Sequence, residues 1–437
     1  MIPSRRTLGL LALGIPIAAV TAQMGIVYFG LAFDVVILVA AWITTRLAPS
    51  VSSLRLTRKF DPVLSVRADN RIELTLENDG DERITGRLRD EAPARFTASR
   101  REFKVDVEAG RHQEFTYTVK PHERGSEEFA GAWLRLDCPF GLAYQDVYIP
   151  AEEAVRVYPN LLALKEFDLL NQQGRLREIG IRQTRKRGIG MEFESLRDYA
   201  EGDDFRKIDH KASARRGKLV VRQYETERNQ AVILVIDIGR HMLAEVDGVR
   251  KLDHVLDSLL MLANAAAIAG DNIGLLVYAE NVRRYIPPRK GRTQVGIIIE
   301  ALHDLIAEPV ESDPVGAYAY LASRWKRRSL LVAFTDYEDP DRARELLAAF
   351  TPLARRHITV IARVTDPRWH DISTQPVRDA KSMYERTAAT ILTEDRRAAT
   401  HIIGNSGIHN LEAEPQDLAA KLVTFYMDVK SRGRLAG

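Results

Sequence analysis

The chain has 437 residues, which is long enough for two or three domains that each bury a core. Its 45% hydrophobic and 28% charged residues are typical of a folded protein, and its formal charge of +3 does not indicate a nucleic-acid partner. The only cysteine, Cys138, excludes an intramolecular disulfide framework and a CxxC metal site.

The N-terminal 47 residues carry two apolar runs, Thr7–Thr21 and Gly25–Thr45. A helix needs about 20 apolar residues to cross a bilayer core of about 30 Å, so we predict two transmembrane helices in residues 1–47. A signal peptide cleaved near Ala22 is the alternative for the first run. Basic residues follow the second run, which predicts that the rest of the chain is cytoplasmic, at the plasma (inner) membrane. They are Arg46, Arg55, Arg58 and Lys59.

Residues 52–160 show short runs with alternating polarity, separated by turn sequences such as Asn78-Asp-Gly80. This spacing predicts an antiparallel β-sandwich. Residues 161–229 read as a linker followed by a charged segment. The linker contains a basic run, Arg175–Arg187, which is expected to be solvated or, alternatively, to dock an acidic partner or anionic lipid.

Residues 230–437 alternate between apolar strand-like runs and amphipathic helical patterns, which predicts an α/β fold with a doubly wound, mostly parallel sheet. The run Ala231–Met242 is the clearest buried strand, and Asp237 stands at its carboxyl end. The other predicted strands are Ile273–Tyr278, an edge hairpin strand Val282–Ile286, Leu330–Phe334 and Ile358–Val364. The predicted helices are Lys251–Ala269, Val295–Leu305, Val315–Lys326, Pro340–Phe350 and Pro415–Arg432.

Asp237 and Asp336 both follow predicted strands, and Thr293 begins the helix after the edge hairpin. These positions are similar to those that bind a divalent cation in the von Willebrand factor A-like fold. Two serine ligands of that fold are replaced here by Gly239 and His241, which are poor ligands for Mg²⁺. We therefore expect the aspartates to hold turns by hydrogen bonds, with a degenerate Mg²⁺ site at Asp237, Thr293 and Asp336 as the alternative.

A dense charged cluster precedes the first strand of the α/β region. Exposed ion pairs contribute only about 0–1 kcal/mol each, so a partner-binding surface competes with a structural network. Its members are Arg197, Asp198, Tyr199, Asp203, Arg206, Asp209, Lys211 and Arg215. The sequence contains no HExxH, GxSxG or GxxxxGK[ST] motif, so we do not expect an enzyme.

The charged cluster, the Asp237–Met242 turn, Gly270-Asp271, Pro287–Arg292 and Thr335-Asp336 together resemble the bacterial domain of unknown function 58 (DUF58) family. Position 210 departs from the family pattern, because it holds histidine where the family usually has tryptophan. The resemblance implies a von Willebrand factor A-like domain behind a membrane hairpin and a β-sandwich.

The resemblance also implies a MoxR-type AAA+ ATPase as partner. We expect a membrane-anchored, non-enzymatic adaptor or scaffold that works in envelope protein maturation or stress response, with a client protein that the sequence does not identify. A divalent-cation-dependent receptor that uses the Asp237, Thr293 and Asp336 site is the alternative function.

Overall fold

The computed structural model describes residues 2–23, 28–49, 51, 53–173, 192–200, 203, 205–225 and 230–432. The basic run Arg175–Arg187 lies outside the described residues. The chain divides into two compact units, Met1–Asn160 and Leu161–Gly437, which are described separately. The fold is mixed α/β, with a β-rich N-terminal unit and several sheets.

The first unit contains two helices near its N-terminal end, α1 (Arg5–Gln23) and α2 (Tyr28–Arg46), that pack against each other. Among the described residues, α2 is the helix that is long and apolar enough to cross a membrane. Glycine allows the two helices to approach closely, since a Cβ on Gly30 would lie 2.5 Å from the Cβ of Ala18. Gly14 likewise lies against Asp34, so the helices run antiparallel.

Twelve short strands form the rest of this unit as far as the structure describes it. They are β1 (Ile2–Pro3), β2 (Leu54–Phe60), β3 (Val63–Ser65), β4 (Asn70–Asn78), β5 (Ile84–Asp90), β6 (Phe96–Ala98), β7 (Glu102–Val107), β8 (His112–Pro121), β9 (Gly125–Phe129), β10 (Ala132–Asp137), β11 (Ala143–Ile149) and β12 (Glu153–Tyr158). Their sheets have the orders β1-β11-β10-β5-β7, β2-β4-β8-β6 and β3-β12-β9. Alternate residues point inward, as in the pattern of β10, and the inner faces share one apolar core.

One ion pair lies inside this core. Arg58 Nη2 of β2 lies 2.6 Å from Asp90 Oδ1 of β5, and both side chains are fully buried. Tyr117 of β8 donates its hydroxyl to the other oxygen of Asp90, and Arg58 also donates to the backbone carbonyls of Ala130 and Ala151. Burial, together with the Asp90 charge, raises the pKa of Tyr117 well above its ordinary value, so the phenol remains a donor.

The second unit contains ten strands and nine helices among its described residues. The strands are β13 (Glu192–Asp198), β14 (Val220–Glu225), β15 (Ala231–Asp237), β16 (Glu245–Val246), β17 (Val249–Arg250), β18 (Asn272–Tyr278), β19 (Val282–Lys290), β20 (Ser329–Phe334), β21 (Ile358–Val364) and β22 (His409–Ala413). The helices are α3 (Leu161–Gln172), α4 (His210–Arg216), α5 (Lys251–Ile268), α6 (Arg292–Leu302), α7 (Pro314–Arg324), α8 (Pro340–Ala354), α9 (Arg368–Thr374), α10 (Ala380–Gly404) and α11 (Pro415–Ser431).

The main sheet of this unit has the order β19-β18-β15-β20-β21-β22. All neighbouring strands are parallel except the edge strand β19, which is antiparallel to β18. Apolar side chains of α5, α6 and α11 pack on one face of the sheet, and those of α7, α8 and α10 pack on the other. The buried run of β15 therefore has helices on both faces, as a parallel sheet requires.

Every strand and helix that we predicted for residues 230–437 is present, with ends shifted by a few residues. The elements β16, β17, α9, α10 and β22 are additional to those predicted. The expectation of a linker from residue 161 is wrong for its first twelve residues, because they form α3. Phe167 of α3 is buried against Ala265 of α5 and Val423 of α11, so this helix is part of the apolar core of the second unit.

Candidate functional site

Asp237 and Asp336 lie at the carboxyl edge of the main sheet, where ligand sites of open α/β sheets are found. β15 and β20 are adjacent and parallel, so both aspartates follow their strands at the same edge. Asp237 is buried and accepts hydrogen bonds from the Ser312 hydroxyl, the Thr335 hydroxyl at 2.7 Å and the Gly239 N–H at 2.9 Å. Neutral donors from three loops therefore bind its carboxylate.

Three buried cations neutralise the two aspartates. Lys251 Nζ, at the start of α5, contacts the Asp336 carboxylate directly, and Arg363 Nη1 of β21 lies 3.6 Å from it. Arg342 Nη2 of α8 lies 3.6 Å from Asp237 Oδ2. Burial opposes the charged guanidinium of Arg363, but Asp336, Tyr337 and Glu412 outweigh it and raise its pKa.

The structure does not bring Thr293 to this cluster. β19 runs antiparallel to β18, so Lys290 pairs with Asn272 at the amino end of β18, and α6 begins there. Gln294, the next residue, donates to the carbonyl of Ile273 at the same end. Asp237 lies at the other end of its strand, about 20 Å away at about 3.3 Å per residue. Thr293 therefore belongs to the opposite edge of the sheet, and its expected place beside the aspartates is wrong.

Ser312 holds the position that we had expected of Thr293. It precedes α7, and the loop between α6 and α7 returns the chain to the carboxyl edge, where the hydroxyl bonds to Asp237. A Cβ on Gly239 would lie 1.9 Å from the Ser312 hydroxyl, so Ser312 fills the space that a side chain at position 239 would need.

The carboxyl edge does not fit a divalent cation. Both buried carboxylates already pair with the ammonium of Lys251 or the guanidinium groups of Arg342 and Arg363, so a divalent cation here would meet these positive charges at close range. His241 Nε2 lies 3.5 Å from Glu311 Oε1, and its Nδ1 lies 3.9 Å from Glu338 Oε2. In the part of the chain that the structure describes, no group of three or more His, Cys, Asp or Glu side chains could hold a metal ion.

Part of the charged cluster of residues 197–215 is a structural network. Arg197 makes two bonds to the carboxylate of Asp203, and Asp203 also accepts the N–H of Ala200 at 2.9 Å. Asp198 pairs with Lys218 at 2.6 Å across the hairpin β13–β14. These bonds shape the turn between β13 and the helix that follows.

Asp209 has a similar structural role. It is the N-cap of α4, where its side chain accepts the Ala212 N–H at 2.9 Å. The helix ends at Gly217, whose φ of 65° is the left-handed conformation that glycine adopts without strain. The cap and the hairpin therefore fix the position of a short, exposed helix.

The remaining cluster residues face the solvent. Lys211 and Arg215 lie one helical turn apart on α4, and Arg206 is exposed just before it. Phe205 is 70% exposed, and its ring centroid lies 5.6 Å from that of Tyr199. The side chain of His210, where the resemblance led us to expect tryptophan, is also exposed. The structure thus separates the cluster into surface residues that pair with one another and a basic surface beside the exposed Phe205.

Residues 195–398 match the family described as "Protein of unknown function DUF58". The match begins in β13 and includes the charged cluster, Asp237 and Asp336. Proteins similar to this chain include uncharacterized proteins of Mycobacterium bovis and Mycobacterium tuberculosis. Each is 28% identical over 272 residues, which cover 57% of this chain and 83% of the relative.

Similarity to solved structures is weak. The conserved hypothetical protein BatB from Bacteroides thetaiotaomicron aligns with 47% of this chain and all of its own length, at 13% identity and a TM-score of 0.32. The CARDB domain of a Pyrococcus furiosus protein, solved in complex with di-metal ions, aligns with 24% of this chain and 86% of its own length, at 15% identity and a TM-score of 0.18.

Proposed function

We propose that this protein is a non-enzymatic adaptor, anchored in the plasma membrane, that docks a MoxR-type AAA+ ATPase. The docking surface consists of the basic residues Arg206, Lys211 and Arg215 and the exposed Phe205 beside them. The single observation that supports this docking site is α4, a short helix that is exposed and capped at both ends. The identity of the partner rests on the family resemblance. The adaptor would bring the ATPase to a client in envelope protein maturation or stress response.

Two features support α4 as the docking surface. First, the Arg197–Asp203 pair and the Asp209 cap hold the helix in place, so little conformational entropy is lost when a partner binds. Second, arginine and aromatic side chains are enriched among interface hot spots, and Phe205 is exposed beside the basic residues. The matching partner surface is acidic with an apolar recess.

The sheet order supports a von Willebrand factor A-like fold for the second unit. β19, β18, β15, β20, β21 and β22 follow the doubly wound order in which the first strand lies at the centre, and the edge strand β19 is antiparallel. In our proposal the buried charges at its carboxyl edge stabilise this domain, and α4 binds the partner.

Charge reversal on α4 tests the docking site. The full-length variant Lys211→Glu with Arg215→Glu should keep the fold, because both side chains are exposed on the helix surface. It should weaken association with the MoxR-type ATPase by about 1–4 kcal/mol, or roughly 5- to 1,000-fold in Kd. Association is measured by titrating the purified ATPase against the detergent-solubilised protein, and the fold is checked by circular dichroism.

The matched control is Lys326→Glu with Arg327→Glu, which makes the same charge change at two exposed residues between α7 and β20. This control should bind the ATPase as the wild type does. Normal binding by the α4 variant, or equal loss in both variants, would contradict docking at α4. The Arg197→Ala variant is less informative, because it also releases Asp203 from the turn.

In the membrane, we propose that α1 and α2 both span the bilayer and that the remaining chain is cytoplasmic. The length and composition of α2, its close packing with α1 and the basic residues after it support this arrangement. Alkaline phosphatase and a fluorescent protein, fused in turn to the C-terminus, report the location. We expect a fluorescent fusion and an inactive phosphatase; an active phosphatase with a dark fluorescent protein would reverse the topology.

A further inference from the structure

An open cavity lies at the amino edge of the main sheet, opposite to the edge of the two buried aspartates. β20 and β21 are adjacent and parallel, so the segments that lead into them from α7 and α8 meet at this edge. The cavity has a volume of about 480 Å³, which is in the range of small-molecule sites. None of the described side chains that line it is acidic, and the polar ones are those of Trp325, Arg355, Arg356 and His357.

The charge around the cavity is positive and unpaired. The register of β20 and β21 brings Arg328 and Arg356 to neighbouring positions, and Arg355 comes directly before Arg356. Within residues 230–432, which the structure describes throughout, none of these three side chains forms an ion pair. The C-terminal ends of α7 and α8 contribute about half a negative charge each, so about two of the three positive charges remain uncompensated. Like charges at neighbouring positions repel each other, and an anion in the cavity would relieve this repulsion.

His357 gives a second and independent indication of a ligand. Its side chain is only 6% exposed, and its Nδ1 is enclosed without a hydrogen-bond partner among the described residues. Burial, together with the charges of Arg356 and Arg328, lowers the pKa of His357 to about 4, so the imidazole is neutral at pH 7. A neutral imidazole keeps one N–H donor, and a buried polar group without a partner costs free energy. His357 therefore offers the cavity a donor that no described residue uses.

Trp325 forms an aromatic wall of the cavity. Its indole N–H donates to the hydroxyl oxygen of Ser329 at 2.6 Å, and that hydroxyl donates to the carbonyl of Arg327 at 2.9 Å. These two bonds hold the indole ring beside the arginines. An aromatic ring in this place offers an apolar surface to the organic part of an anionic ligand.

We propose that this cavity binds the phosphate group of a small phosphomonoester, held by Arg355, Arg356 and His357. The organic part of the ligand would pack on the ring of Trp325. Guanidinium groups are always charged and match the oxygens of a phosphate in pairs. A phosphomonoester carries a charge of about −1.5 to −2 at pH 7, which matches the roughly two uncompensated positive charges. The site is independent of the docking surface on α4.

Isothermal titration calorimetry of the full-length protein in non-ionic detergent tests the proposal, with ribose 5-phosphate and inorganic phosphate as probes. The wild type should bind one molecule of ribose 5-phosphate per chain. Arg355→Gln with Arg356→Gln should raise the Kd by roughly 10- to 100-fold, as expected for the loss of charge-assisted hydrogen bonds. Both side chains are exposed, so circular dichroism should show an unchanged fold. A wild type that binds neither probe would overturn the proposal.

The matched control is Lys326→Gln with Arg327→Gln. It removes two positive charges at the same edge of the sheet, but neither residue is among those that line the cavity. Salt screens exposed charges outside the site, so this control should change the Kd by less than about threefold at 0.15 M salt. Equal losses in the two double variants would show that a basic surface attracts anions in general, and the proposed site would be wrong.

Variants of His357 test its role as a donor. His357→Leu should weaken the binding of both probes by roughly 3- to 10-fold, because it removes one neutral hydrogen bond. His357→Gln keeps a donor and should bind both probes more tightly than His357→Leu does. Wild-type affinity in His357→Leu would contradict a contact between the phosphate group and this side chain.

Comparison of the two probes separates the phosphate group from the organic part. Inorganic phosphate should displace ribose 5-phosphate, and Trp325→Ala should weaken ribose 5-phosphate more than inorganic phosphate, since only ribose 5-phosphate has an organic part. Equal weakening of the two probes would refute the contact with Trp325. Ribose 5-phosphate that inorganic phosphate does not displace would refute recognition through the phosphate group.

Discussion

Replacing Asp90 with alanine should lower the free energy of unfolding of the β-rich unit by about 3–5 kcal/mol, which is the range for removing one partner of a buried ion pair. The change leaves the guanidinium of Arg58 charged inside the core and removes the acceptor of the Tyr117 hydroxyl. Arg58 would keep its hydrogen bonds to the carbonyls of Ala130 and Ala151, but these neutral groups do not compensate the charge of its guanidinium.

Hydrogen exchange measured by mass spectrometry on the full-length protein suits this test, because it reports the opening of residues 54–158 separately from the other unit. Asp106→Ala is the matched control, since it breaks an exposed pair with Arg83 in the same sheet and should change protection little. The triple variant Arg58→Met, Asp90→Leu and Tyr117→Phe should recover much of the loss, because apolar side chains replace the whole network. Equal effects of Asp90→Ala and Asp106→Ala would show that the buried pair does not hold the sheets together.

Replacing Asp336 with alanine should destabilise the second unit by about 3–5 kcal/mol, because it also removes one partner of a buried ion pair. Lys251 is buried, and its ammonium contacts Asp336 directly; Arg363 loses the same carboxylate but keeps Glu412 at 2.9 Å. Exchange in β15, β20 and the start of α5 should therefore accelerate strongly. Thr293→Ala, at the opposite edge, is exposed and should leave these elements unchanged.

The same measurement distinguishes a charge network from a metal site. The wild type should give equal protection in EDTA and in millimolar Mg²⁺, because Lys251, Arg342 and Arg363 already neutralise the aspartates. A metal present at a hundred times its Kd would add about 2.7 kcal/mol of stability. A gain of that size in the wild type, absent from Asp336→Ala, would contradict our reading and support the cation-dependent receptor.

The elements that could be predicted from the sequence are those whose buried residues form a regular local pattern of apolar residues. β15 and β20 are continuous apolar runs, and α5 has a regular apolar stripe, so they were found. α10 was missed because its apolar residues are divided between two faces and its first turns carry charged residues. α3 was missed because the charged residues after it suggested a linker.

The contacts at the candidate site could not be predicted, because they join residues that are far apart in the sequence. Lys251 and Asp336 are 85 residues apart, and Ser312 and Asp237 are 75 residues apart, so their pairing follows from the fold alone. The error at Thr293 had a different origin. The sequence predicts the edge hairpin, but the antiparallel strand β19 carries the chain back to the amino edge of the sheet, and α6 returns it to the carboxyl edge.

The short strand β1 has a consequence for how this protein is handled and processed. Ile2 and Pro3 pair with Tyr144 and Ala143 of β11, and the N–H of Ser4 donates to the carbonyl of Leu142 at 3.0 Å. Removing the first residues, by a peptidase acting near Ala22 or by truncation, would leave this edge of β11 unpaired. Exposed edge strands can pair with strands of other molecules, so we expect such a product to aggregate.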